Sequence, residues 1–130
     1  MRILFVLNSH FWERIGILIL SSILKKHQHT VSIYNINQRT VEQYIEEIKQ
    51  LKPEVIAYSS MTTEIATFLQ TNRELKSNLP FEWKSVFGGP HPTFFPEMIH
   101  EAGVDALLDL GVHGFIQQRR DDHSILVLES

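Results

Sequence analysis

Three groups of residues in this 130-residue chain have types and spacing that could do chemistry. The first is a set of histidines, His10, His91 and His113, on three separate loops. Three imidazoles brought together could hold zinc and leave a position open. Their spacing supports that no further than loop placement. The second is the run Ser59, Ser60, Met61, Thr62 and Thr63. Its hydroxyls, together with amides at a helix N-terminus, could take a phosphate or polar ligand arms. The simplest structural role for the same residues is a helix cap. The third is "SVFGGPHPTFFPE", residues 85–97, where an apolar run stops at Gly88 and Gly89 and three prolines follow. Glycine has no Cβ and permits unusual dihedrals, so backbone can approach a ligand closely. Pro90 and Pro92 stiffen the loop, which lowers the ordering cost of binding. From composition alone, Gly-Gly-Pro also reads as an ordinary turn. Aromatic residues gather beside these groups at Phe11, Trp12, Phe94 and Phe95. They could line a flat ligand, fill core, or, for Trp12, anchor a partner.

Several chemistries are excluded. The chain has no cysteine, so it holds no disulfide and no Cys-ligated zinc or iron–sulfur cluster. Its net charge is −3, and the basic pairs Lys25-Lys26 and Arg119-Arg120 are short, which argues against nucleic acid. No segment reaches the roughly 20 apolar residues of a membrane span. The opening apolar run stops at Asn8, too short for a secretory signal, so a cytoplasmic location is expected. There is no GxGxxG and no GxxxxGK[ST], which removes dinucleotide and P-loop readings. A phosphoacceptor domain needs acids after the first strand and an Asp ending the third, and neither is present. The loop "NSHFWERIG" is too bulky to be a flavodoxin phosphate loop. No Ser-His-Asp or Cys-His arrangement has motif support.

The elements that must position these residues alternate along the chain. Continuous apolar runs at 2–7, 31–36, 55–58, 85–87 and 104–110 predict strands buried on both faces, the mark of a parallel sheet. Helical patterns lie between them. The helix at 13–26 is apolar around most of its circumference and is expected to pack centrally. The next carries Val41, Tyr44, Ile45, Ile48 and Leu51 on one face, with Thr40 and Gln43 as a capping box and Pro53 beyond its end. The third places Ile65, Phe68, Leu69 and Leu75 on one face and stops before Pro80. The fourth is short, with Pro96 in its first turn and Gly103 past its end. Strands alternating with helices imply an α/β fold: a doubly wound parallel five-stranded sheet, flavodoxin-like (Rossmann-like), strand order 2-1-3-4-5. "QQRRDDH" reads as a loop, and "ILVL" at 125–128 as a sixth strand or a terminal edge. Residues 1–130 are expected to form one domain, with 110–130 an atypical tail. In such sheets ligands bind outside the carboxyl ends of the strands. That rule selects the loops 8–14, 59–63, 88–95 and 111–115, where the unusual residues collect.

The segment "FGGPHPTFFPE" after the fourth strand resembles the cobalamin-binding domain found at the N-terminus of radical S-adenosylmethionine enzymes. "RILFVLN", "ERIGILILSSILKKHQHTVSIYNI" and "LKPEVIAYSSMT" fit the same domain type, so the resemblance covers about residues 2–108. It implies cobalamin as the cofactor. The residues it places at the cofactor are Asn8, Ser9, His10, Phe11, Trp12, Ser59, Ser60, Met61, Thr62, Gly88, Gly89, Pro90, His91, Pro92 and Gly111. Cobalamin proteins that ligate cobalt through histidine carry D-x-H-x-x-G after the first strand, where the Asp orients the His. This chain has His10 at the ligand's place, with Asn8 for the Asp and Glu13 for the Gly. The radical enzymes generally lack that ligand. His10 is thus the candidate cobalt ligand, and a loop residue facing solvent or corrin otherwise. His91 reads as a contact, and His27, His29, His100 and His123 as surface residues.

Two departures from the family pattern stand out. Gln28 replaces the usual helix-ending glycine, at little cost provided it avoids the left-handed conformation. After the fifth strand the family's "GEGE"-like loop is replaced by "LDLGVHGF", and no cluster-binding cysteines follow. No catalytic machinery for cleaving S-adenosylmethionine is expected within these residues. The expected function is a module presenting the corrinoid to a methyltransferase or radical S-adenosylmethionine partner or domain. The competing readings are a cofactor-free interaction or sensory module on the same fold, and the histidine metal site. The sequence carries no signal of oligomeric state.

Overall fold

The computed structural model describes residues 1–8, 25–59, 64–88, 96–109, 115–119 and 125–129. Its strands are β1 (Arg2–Leu7), β2 (Thr30–Asn35), β3 (Val55–Ser59), β4 (Lys84–Gly88), β5 (Ala106–Asp109), β6 (Phe115–Arg119) and β7 (Ile125–Glu129). Two α-helices are described, α1 (Val41–Leu51) and α2 (Ile65–Asn78), with a 3-10 turn at Pro96–His100. The expected helix at 13–26 lies outside the described residues, except that Lys25 and Lys26 are helical.

All seven strands form one sheet, in the order β2-β1-β3-β4-β5-β6-β7. The first five are parallel and follow the expected 2-1-3-4-5. Two antiparallel strands then extend the sheet: β7 falls where the sequence offered a sixth strand or terminal edge at 125–128, and β6 was not foreseen. Gln117, Gln118 and Arg119 belong to β6 rather than to a loop. The reason is pairing: β6 is laddered on both sides, Gln118 opposite Ala106 and Leu126. A ladder satisfies backbone whatever the side-chain polarity, and polar composition alone hid it.

Strand side chains alternate between faces, and the core follows that period. Leu4, Val6, Ile56, Tyr58, Phe87 and Leu107 join Tyr44 and Ile48 of α1 and Phe68 and Leu75 of α2 in one cluster. Ile3, Phe5 and Leu7 are buried on the opposite face, with Val31, Val55 and Ala57 packed against them. β1 is therefore buried on both faces, as its unbroken apolar run predicts. Among the described residues no helix is long and apolar enough to cross a membrane.

The helix ends show how local chemistry sets these elements. The capping box at α1 forms as expected: the Gln43 amide donates to Thr40 Oγ1 at 3.2 Å, and the Thr40 amide donates to Gln43 Oε1 at 2.8 Å. Lys52 closes α1 in the left-handed conformation, φ 49°. Pro96 opens the 3-10 turn, and Gly103 beyond it has φ +85°. Gln28 does not avoid the left-handed region, with φ 68°. The short turn between Lys26 and β2 requires that conformation, and an L side chain meets steric cost there. Gln28→Gly is expected to raise stability by about 1 kcal/mol, seen as a higher urea midpoint at unchanged m. His29 also departs from the surface reading. It is half-buried, and its Nδ1 is buried with no hydrogen-bond partner among the described residues.

Tyr34 on β2 donates its hydroxyl to Glu47 of α1, whose carboxylate lies 3.8 Å from Arg39 Nε. Partial burial, followed by that hydrogen bond and the Glu47 charge, pushes the Tyr34 phenol up to about 12. The folded state favours the protonated phenol. The resulting stability is complete below about 10, the unfolded value, and is lost as pH rises through about 12. Tyr34→Phe should flatten the stability profile across that window, as read by chemical unfolding at a series of pH values.

Candidate functional site

Parallel strands β1 to β5 all end at one edge of the sheet. The register aligns their ends: Leu7 with Asn35, Ser59 with Gly88, and Gly88 with Leu108, one residue before the end of β5. Val6 lies beside Tyr58, so Leu7 and then Asn8 leave the sheet next to Ser59. The chain passes from β1 outward to β2, then crosses back over β1 to β3. The strand order reverses between β1 and β3, where open α/β sheets form their ligand crevice. Asn8, Ser59 and Gly88 therefore share one edge, with Gly88 at the end of the middle strand of seven.

Ser9, His10, Phe11, Trp12, Ser60, Met61, Thr62, Gly89, Pro90, His91, Pro92 and Gly111 lie outside the described residues. So does His113. Among the described residues no group of three His, Asp or Glu side chains could hold a metal ion.

Gly88 sharpens the glycine argument. It lies in regular strand, and Gly103 is the glycine with positive φ among the described residues. The unusual-dihedral half of the expectation therefore does not apply at Gly88. What its missing side chain leaves is room: Gly88 is half-buried, directly after the fully buried Phe87. The helix-cap role expected of the 59–63 run falls to another residue. The N-cap position of α2 is Glu64, with no side-chain cap bond. No serine or threonine of the 59–63 run occupies that cap position.

The sequence reading missed the support beneath this edge. Tyr58 and Phe87, each one residue before Ser59 and Gly88, stack with ring centroids 4.5 Å apart at 20°. Phe68 of α2 meets the Tyr58 ring at 5.4 Å. Burial holds the Tyr58 phenol well above its ordinary value, so it stays a proton donor, and it donates to Asn72 Oδ1 at 3.0 Å. The available signal was position: an aromatic immediately before each candidate residue. Asp109, the last residue of β5, also ends at this edge and was not singled out.

A family model for the B12 binding domain matches residues 2–114. The chain belongs to the B12-binding domain family. Cobalamin is the cofactor of this B12-binding domain, as its family match supports. Among solved structures it is similar to the apo, selenomethionine-labelled cobalamin-dependent S-adenosylmethionine radical enzyme OxsB. The TM-score is 0.73 at 17% identity, over 96% of this chain and 21% of that one. That likeness establishes the fold, and the domain spans about a fifth of the other chain's length. No curated protein matches the chain.

The described residues fit the family's cofactor. A broad, flat macrocycle with amide arms needs an edge that is low in bulk at its centre and polar at its sides. Gly88 supplies the first; Ser59 lies in register beside it, and Asn8 follows the end of β1, the strand beyond Ser59's.

Proposed function

We propose that this B12-binding domain holds cobalamin across the ligand edge and presents it to a methyltransferase or radical S-adenosylmethionine partner or domain. The observation that carries the reading is the register of Ser59 with Gly88 at the carboxyl edge of a 2-1-3-4-5 sheet, within residues matched by the family model. Asn8, Ser59 and Gly88 would contact the corrinoid, together with His10, Trp12, Thr62, Gly89 and His91 on the adjoining loops. Cobalamin, when bound, supplies the organometallic chemistry, while the protein supplies binding and orientation. Pairing with a catalytic domain is in keeping with the multidomain size of the structural neighbour.

The test is uptake. Purified protein is mixed with hydroxocobalamin or methylcobalamin, desalted, and its visible spectrum recorded. Retained colour at about one equivalent is expected, and a colourless protein sinks the proposal. The spectrum of His10→Ala then separates two binding modes. An unchanged spectrum excludes cobalt ligation by His10, and a shifted one supports it.

A further inference from the structure

Asn72 lies in the middle of α2 with none of its surface exposed. Both ends of its carboxamide are used. Tyr58 donates to Oδ1 at 3.0 Å, and Nδ2 donates to the Gly103 carbonyl at 2.8 Å. Tyr58 belongs to β3, and Gly103 to the turn that leads into β5. These are the two strands that flank β4.

β4 is tied into the same knot. Ser85 Oγ donates to the Gly103 carbonyl at 2.6 Å, and the Asp105 amide donates to Ser85 Oγ at 3.1 Å. The Ser85 amide donates to Asp105 Oδ2 at 2.9 Å. Lys76, one turn along α2 from Asn72, closes the outer side. Its Nζ donates to Asp105 Oδ2 at 2.7 Å and to the Trp83 carbonyl at 2.9 Å, and lies 3.9 Å from the Trp83 ring centroid.

A buried amide is costly unless each polar atom is paired, and an apolar residue would pack α2 on the sheet with less at stake. The turn is shaped to admit this one. A Cβ at Gly103 would lie 3.0 Å from Asn72 Nδ2, and the φ of +85° suits glycine. The arrangement fixes the lateral placement of β3 and β5 about β4, and Tyr58 carries that constraint to the last residue before Ser59.

We infer that Asn72 is a positioning residue for the cofactor edge, holding β3 and β5 against β4 so that Ser59 and Gly88 keep the spacing the ligand meets. This rests on the cobalamin reading above. Asn72→Leu alone leaves a buried Tyr58 hydroxyl unpaired, so the informative variant is Asn72→Leu with Tyr58→Phe, which removes both polar partners together. Its unfolding midpoint should return close to wild type. Amide exchange of the apo protein should nonetheless rise about tenfold in β3 and β4 relative to β1 and β2. The Kd for hydroxocobalamin should rise about tenfold, or 1.4 kcal/mol. If the double variant does not fold, Gly103→Ala displaces Nδ2 from the other side and is expected to give the same local exchange and the same weakened binding.

A stable variant with wild-type exchange in β3 and β4, or with faster exchange but an unchanged Kd, overturns the inference. Failure of the cobalamin reading is distinguishable, because the wild-type protein itself would then take up no colour, and that result removes the inference as well.

Discussion

Gly88→Leu is expected to raise the cobalamin Kd at least about a hundredfold, enough to lose the cofactor on desalting. Gly88 ends β4, in register with Ser59 on one side and Leu108 on the other. Its backbone is regular strand, so a side chain there meets no dihedral penalty. What changes is bulk. A leucine adds four carbons at the edge where, on the proposed function, a flat macrocycle would come close to the backbone. Gly88→Ala adds one and should fall between, so the pair gives a graded series read by equilibrium dialysis. Circular dichroism melts should show both variants unfolding cooperatively. A leucine variant that folds and keeps wild-type affinity would show that this edge does not carry the site.

The second large effect concerns what lies beneath that edge. Phe87 is fully buried in β4, stacked on Tyr58. Phe87→Ala removes a ring from a packed core and leaves a cavity, at a cost of about 3–5 kcal/mol. Domains of this size are typically stable by about 5–15 kcal/mol, so the variant loses a large share of its stability. The expected result is a fall in Tm of roughly ten degrees or more, with a matching fall in urea midpoint. Phe87→Leu keeps most of the volume and should cost clearly less. Equal losses for Ala and Leu would mean that the ring stacking, not the filled volume, holds this part of the core.

The parallel half of the fold was legible because each of its signals is local. The unbroken apolar run of β1, the Thr40–Gln43 capping box and the alternation of strand and helix each reside in a few neighbouring residues. β6 was not legible, because Gln117, Gln118 and Arg119 become strand through their neighbours β5 and β7. Gln28 is a similar case. Its left-handed turn is imposed by where β2 must start, and glutamine gives no sign of it. The placement of Asn8, Ser59 and Gly88 at one edge was legible because strand ends can be read from apolar runs. Tyr58 and Asn72 were not found. Their partnership spans fourteen residues of sequence, and asparagine in a helical stretch carries no mark of burial.

The antiparallel strands have a consequence for how the domain behaves among its own copies. A sheet ending at β5 would present the unpaired backbone of Ala106–Asp109 as a template for another molecule's strand. β6 and β7 cover that ladder and displace the open edge by two strand spacings, about 10 Å, from the last parallel strand. Strand addition on this side of the sheet must then begin at β7, three strands from Gly88. Self-association by that route would crowd the far margin of the sheet and leave the edge at Gly88 open.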